Sequence, residues 1–109
     1  MIVLEVRDEE LMASVKRQAA AQGVTDGAIV SLIGAVDTFT LSTMPASDAS
    51  KDIVTEYAQP AEMSGTGEIV DGAVHIHATM AVEGDRGLSG HLHRAVVGHW
   101  FARVYVLPR

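Results

Sequence analysis

All five histidines of the chain fall between His75 and His99, and the stretch before His75 has none. His75-Ile76-His77 sits in an alternating run, with Val74, Ile76 and Ala78 on one face and His75, His77 and Thr79 on the other. In a strand, residues two apart share a face and stand about 6.6 Å apart along the axis. Imidazoles at that spacing can tilt together until a nitrogen of each lies about 2.0–2.1 Å from one zinc ion. His91-Leu92-His93 repeats the spacing after a glycine-rich turn. An antiparallel partner strand would carry a third ligand, or a fourth, to the same point. A single H-x-H pair is as often a surface pair as a ligand pair. Two such pairs within one hairpin-sized segment favour a metal, since imidazole is the commonest metal ligand. Spacing alone does not choose among these four imidazoles. His99, between Gly98 and Trp100, is read as decoration of a strand.

Three histidines on a zinc ion leave a fourth position open to water, the arrangement of catalytic zinc sites. Turnover would also need a general acid or base and a cleft. Glu56, Glu62, Glu83 and Asp85 are available carboxylates, but their spacing selects none of them. No phosphate-binding loop or nucleophile motif is present, and Gly65-Thr66-Gly67 reads as backbone accommodation. The reading therefore leans away from an enzyme, with a small zinc-dependent hydrolase or lyase as the lesser alternative. All-nitrogen sites also accept nickel, cobalt or copper.

A chain of 109 residues accommodates one domain, residues 1–109. With two Phe, two Tyr and one Trp, the core must be built from Val, Ile, Leu, Ala and Met. So small a domain is marginally stable alone, which makes oligomerisation an expectation. The net charge of −6 and scattered basic residues disfavour nucleic acid, whose affinity rests on Lys and Arg contacts to phosphate. The longest near-apolar run, Ala28 to Val36, is far shorter than the roughly 20 residues of a membrane-spanning helix. Without cysteine, disulfides and thiolate metal sites are excluded. Met1 to Val6 reads as a strand rather than a signal peptide, so a cytoplasmic location is expected.

The elements that must position the histidines follow from the pattern. Asp8 is the candidate cap of a helix with Glu9 and Glu10 in its first turn, Leu11, Val15 and Ala19 as its stripe and Gly23 as its close. Strands are expected over Ala28 to Ile33 and Val36 to Thr43, with Gly34-Ala35 marking a bulge or a close backbone approach. Met44 to Asp52 reads as a loop, and Ile53 to Gln59 as a strand. Glu62 to Val70 and Ala73 to Val82 flank Asp71-Gly72, a strong hairpin signal. Glu83 to Gly90 reads as a connection, and Ala95 to Leu107 as one long closing strand. The sum is an α+β domain: an antiparallel sheet of about six or seven strands with one main helix packed on it.

Several of these segments, taken together, resemble the plants and prokaryotes conserved (PPC) domain. They are the first strand and helix, Leu32-Ile33-Gly34-Ala35-Val36, Tyr57 before Pro60-Ala61-Glu62-Met63-Ser64-Gly65, Asp71-Gly72-Ala73-Val74-His75-Ile76-His77-Ala78, Gly90-His91-Leu92 and the C-terminal strand. The resemblance implies a homotrimer. It also implies a metal held by His75, His77 and His91, the zinc of the histidine pattern; His93 is not a usual family ligand, and its participation stays open. Plant members join the domain to AT-hooks that bind DNA; this chain has no such hook, and a DNA-binding regulator is the runner-up reading. Two departures stand out. Ser89 precedes Gly90-His91-Leu92 where the family shows a second glycine, and Arg103 replaces a common acid in the last strand, which bears on the neighbourhood of the site or interface.

Overall fold

Asp71 and Gly72 both take positive φ, 51° and 80°, the requirement of a two-residue hairpin whose twist matches its strands. They join strands β6 (Ala61–Val70) and β7 (Ala73–Val82) in a computed structural model that describes residues 1–109. Around this hairpin lie β1 (Ile2–Val6), β2 (Glu9–Glu10), helix α1 (Leu11–Ala21), β3 (Gly27–Val36), β4 (Thr38–Thr43), β5 (Ile53–Tyr57), β8 (Arg86–Val97) and β9 (Ala102–Pro108). The nine strands form one antiparallel sheet in the order β1-β9-β3-β6-β7-β8-β4-β5, with β2 added beside β8. Only Arg7 and Asp8 separate β1, at an edge, from β2, so the sheet must curl round to bring its two sides together.

The α+β class with one helix holds, but the strand count exceeds the expected six or seven, for local reasons. Asp37 breaks the Ala28–Thr43 stretch into β3 and β4, whereas Gly34 continues β3 unbroken. A Cβ on Gly34 would collide with the Phe101 carbonyl oxygen, so this glycine serves a close backbone approach. The register shift of β3 lies earlier, between Ile29 and Ser31. The expected Ala95–Leu107 strand is two strands, because the chain leaves the ladder from Gly98 to Phe101. The connection after β7 is short: Gly84 and Asp85 take φ of 85° and 59°, and β8 already begins at Arg86.

The helix starts later than the sequence implies. Asp8 takes φ of 53° in the turn after β1, and Glu9-Glu10 pair with Val97 and Val96. Glu10 is the cap: its carboxylate accepts from Met12 N at 2.8 Å, Ala13 N at 2.9 Å and, across to β8, Ala95 N at 3.0 Å. At the far end Gly23, with φ of 72°, donates to Ala20 O while Val24 donates to Ala19 O, a Schellman close. The stripe Leu11, Val15 and Ala19 is buried against the inner face of the sheet.

That inner face fixes which way the histidines point. Ile76, Ala78, Met80 and Val82 are buried in the core, so alternation turns His75, His77, Thr79 and Ala81 outward. Burying a side chain such as Ile76 stabilises by about 1.5–3 kcal/mol, and a one-residue slip would exchange the two faces of β7.

Candidate metal centre

Two neighbouring strands bring the histidines together, and a third lies beside them. His77 on β7 stands opposite His91 on β8, and His75, two residues back, stands opposite Glu68 on β6. Ring centroids are 4.9 Å apart for His75–His77 and for His75–His91, and 5.9 Å for His77–His91. One ring nitrogen from each lies within 4.8 Å of the other two. A zinc tetrahedron with bonds of about 2.0–2.1 Å sets its nitrogens about 3.3 Å apart. Small side-chain rotations close that difference, and exposed rings such as His75 and His77 are free to make them. The donor set therefore fits a divalent transition metal: three imidazoles, no competing thiolate, and an open side toward solvent.

The backbone makes room for this arrangement with glycine. A Cβ on Gly65 would run into the His77 carbonyl oxygen, and one on Gly67 into that of His75. On Gly90 it would meet the Ser42 carbonyl oxygen at 2.5 Å. Gly65-Thr66-Gly67 thus provides backbone accommodation, as the sequence implied. Ser89, by contrast, faces outward with its hydroxyl 2.9 Å from that of Thr79, so Gly90 alone meets the backbone demand ahead of His91.

His93 stands beside the group, its ring centroid 4.7 Å from that of His91, but one of its nitrogens is engaged elsewhere. The β8–β4 register slips between Leu92–Leu41 and Arg94–Thr40, leaving His93 as the extra residue of a bulge. Its Nε2 lies 2.7 Å from the Ser42 hydroxyl, which occupies one ring nitrogen. His99 sits in the Gly98–Phe101 connection rather than on a strand, with Nδ1 3.0 Å from Asp37 Oδ2. Arg103 stacks on Phe101 at 4.2 Å and approaches Glu5 at 3.9 Å; in the sheet order, β3 and β6 separate it from the histidines on β7.

Electrostatics favour the neutral ligand form at His91. Desolvation by burial holds its pKa below the ordinary 6.5, and the neighbouring His93, His75 and His77 push the same way against the opposing pull of Asp52. A neutral imidazole keeps a lone pair for a metal. The carboxylates beside the cluster are Asp52 and Glu68, not the four that the sequence offered. Glu62, Glu83 and Asp85 line a separate recess with His99 and Trp100, and Glu56 lies on β5 opposite Thr40. Counting outward from Asp71-Gly72 pairs Glu68 with His75 and Thr66 with His77, so the hairpin itself was the signal that could have found Glu68.

Comparison with known proteins places this geometry in context. Residues 1–108 match the family model described as the Plants and Prokaryotes Conserved (PCC) domain. No curated protein matches the chain. Among solved structures, a plant- and prokaryote-conserved protein of Pyrococcus horikoshii superposes with a TM-score of 0.84 at 20% identity, over 99% of this chain and 78% of its own. A protein of Ralstonia eutropha described as "Putative DNA-binding protein" gives 0.83 at 19% identity, over 98% and 76%. A protein of Archaeoglobus fulgidus described as metal-containing gives 0.76 at 22% identity, over 98% and 77%. At these identities the likeness shows a shared fold.

Proposed function

The chain belongs to the Plants and Prokaryotes Conserved domain family, and on that premise we propose that it is a non-enzymatic, metal-binding module that works as a homotrimer. His75, His77 and His91 hold one divalent ion, zinc in the first place. The observation that carries this reading is the approach of three ring nitrogens to within 4.8 Å from two neighbouring strands. The metal-containing relative from Archaeoglobus fulgidus supports it. When bound, the ion would be a Lewis acid with one position left for water or a ligand. The histidines fix its place, and the buried Ile76 and Leu92 fix the histidines.

Self-association is supported by apolar residues left on the sheet surface: Val3, Ile33 and Leu107, on β1, β3 and β9, are each at least half exposed. These strands are neighbours in the sheet, so the residues form part of one continuous surface. Light scattering on tag-free protein tests the assembly. A mass three times the 11.6 kDa of the chain is the expected result. No helix is long and apolar enough to cross a membrane; a cytoplasmic module is part of the proposal.

A DNA-binding regulator is the second reading, favoured by the description of the similar protein from Ralstonia eutropha. The net charge of −6 opposes it, because duplex affinity depends on cationic contacts to phosphate. Retardation of duplex DNA that weakens steeply with salt would establish that reading. Absence of binding at low salt would remove it.

A further inference from the structure

The carboxylate of Glu68 is the one acidic group placed across a strand pair from a histidine of the cluster. Oε2 lies 3.8 Å from His75 Nδ1, and the two residues are register partners on the outer faces of β6 and β7. They share an open recess of about 260 Å³ with Thr66, Gly67 and His77. We propose that Glu68 is a positioning residue for the metal: its carboxylate accepts a hydrogen bond from His75 Nδ1–H and so presents Nε2 to the ion. This rests on the three-histidine reading above and adds to it which nitrogen of His75 binds and what orients the ring.

An imidazole that binds a metal through one nitrogen carries its proton on the other, and a carboxylate there fixes the tautomer and raises the basicity of the ligating nitrogen. At 3.8 Å the pair is closer than solvent separation but longer than a hydrogen bond. Both side chains are about half exposed, 48% for His75 and 58% for Glu68, so neither is locked by packing. Glu68 makes no other side-chain hydrogen bond or ion pair that would compete. The same inward rotation that contracts the three nitrogens around an ion can close the gap to Glu68. Its negative charge also offsets part of the 2+ left by three neutral ligands.

Zinc affinity measured by chelator competition, together with the visible spectrum of the cobalt(II)-loaded protein, tests this in wild type, Glu68→Ala, Glu68→Gln and His75→Ala. Glu68→Ala should raise the zinc Kd by about 10–100-fold, the usual effect of losing such a partner, and Glu68→Gln by less, since its amide oxygen still accepts the hydrogen bond. The cobalt spectrum should keep the band energies of wild type, because no direct ligand is lost, and the metal-free melting temperature should not move. A Glu68→Ala protein with wild-type zinc affinity would overturn the proposal. So would a cobalt spectrum showing loss of a direct ligand, or a fall in metal-free melting temperature that accounts for the weaker binding. If wild type takes up no zinc, or His75→Ala keeps it, the three-histidine reading fails and Glu68 falls with it. If wild type binds, His75→Ala does not and Glu68→Ala binds normally, only the role of Glu68 is lost.

Discussion

His77 and His91 face each other directly across the β7–β8 ladder, with ring centroids 5.9 Å apart. They are the last pair of that ladder: beyond His91, β8 turns to β2, pairing Val96 and Val97 with Glu10 and Glu9. The two strands therefore part where the imidazoles meet, and His75 fills in from two residues along β7. A metal bound at this point would tie together strands that diverge next to it.

Zinc should accordingly stabilise the fold. A ligand present at 100 times its Kd adds about 2.7 kcal/mol, which for a domain of this size raises the melting temperature by on the order of 10 °C. Scanning calorimetry with and without zinc should show that rise in wild type and none in His77→Ala. Because His77 is exposed, its removal should leave the stability of the metal-free protein within about 0.5 kcal/mol of wild type.

Acid should weaken the metal-free protein through His91. In the folded chain its pKa lies below 6.5, through desolvation first and neighbouring imidazoles second. Well above pH 6.5 neither folded nor unfolded His91 is protonated, and the group adds no pH dependence. Below it, the unfolded chain takes up a proton that the folded chain refuses, so stability falls as pH falls until the folded pKa is passed. Melting curves between pH 8 and pH 5 should drop more steeply for wild type than for His91→Asn. Parallel curves would contradict the assignment.

The glycine before His91 should tolerate no side chain. A Cβ on Gly90 would stand 2.5 Å from the Ser42 carbonyl oxygen, a backbone atom that can yield only by distorting β4. Gly90→Ala should cost about 1–3 kcal/mol in urea unfolding and weaken metal binding, because His91 moves with the distorted strand. Ser89→Gly should cost much less, its only side-chain hydrogen bond being the exposed one to Thr79.

Glu10 should matter more than its exposure implies. It satisfies two amides of the first helical turn and one amide of β8, so Glu10→Ala leaves three donors without a partner. A loss of about 1–3 kcal/mol is expected, with Glu10→Gln retaining part of it. The urea midpoint reads this directly, provided the slope of the transition is unchanged.

The parts of the fold legible in the sequence are those governed by local rules. The alternation around His75 and His77 and the Asp71-Gly72 turn specify β6 and β7 nearly residue for residue, and the Leu11–Ala19 stripe specifies the helix face. What escaped depends on partners distant in sequence. Asp8 has the composition of a cap, yet Glu10 wins because its longer side chain also reaches Ala95 on β8. In the Val96-to-Phe101 stretch only Gly98 hints at a strand end, and there the chain leaves the ladder with Gly98 close against the Asp37 carboxylate. Spacing treated His91 and His93 alike; the bulge that sends His93 to Ser42 becomes visible only once β4 is in place.

Whether His75, His77 and His91 form one metal site is decided by elemental analysis of tag-free protein paired with zinc titration. The account predicts about one equivalent of divalent metal per chain, as for a single three-histidine site, lost in His75→Ala and in His77→Ala while both remain folded. A folded wild-type protein that carries no metal and takes up none on titration would contradict it.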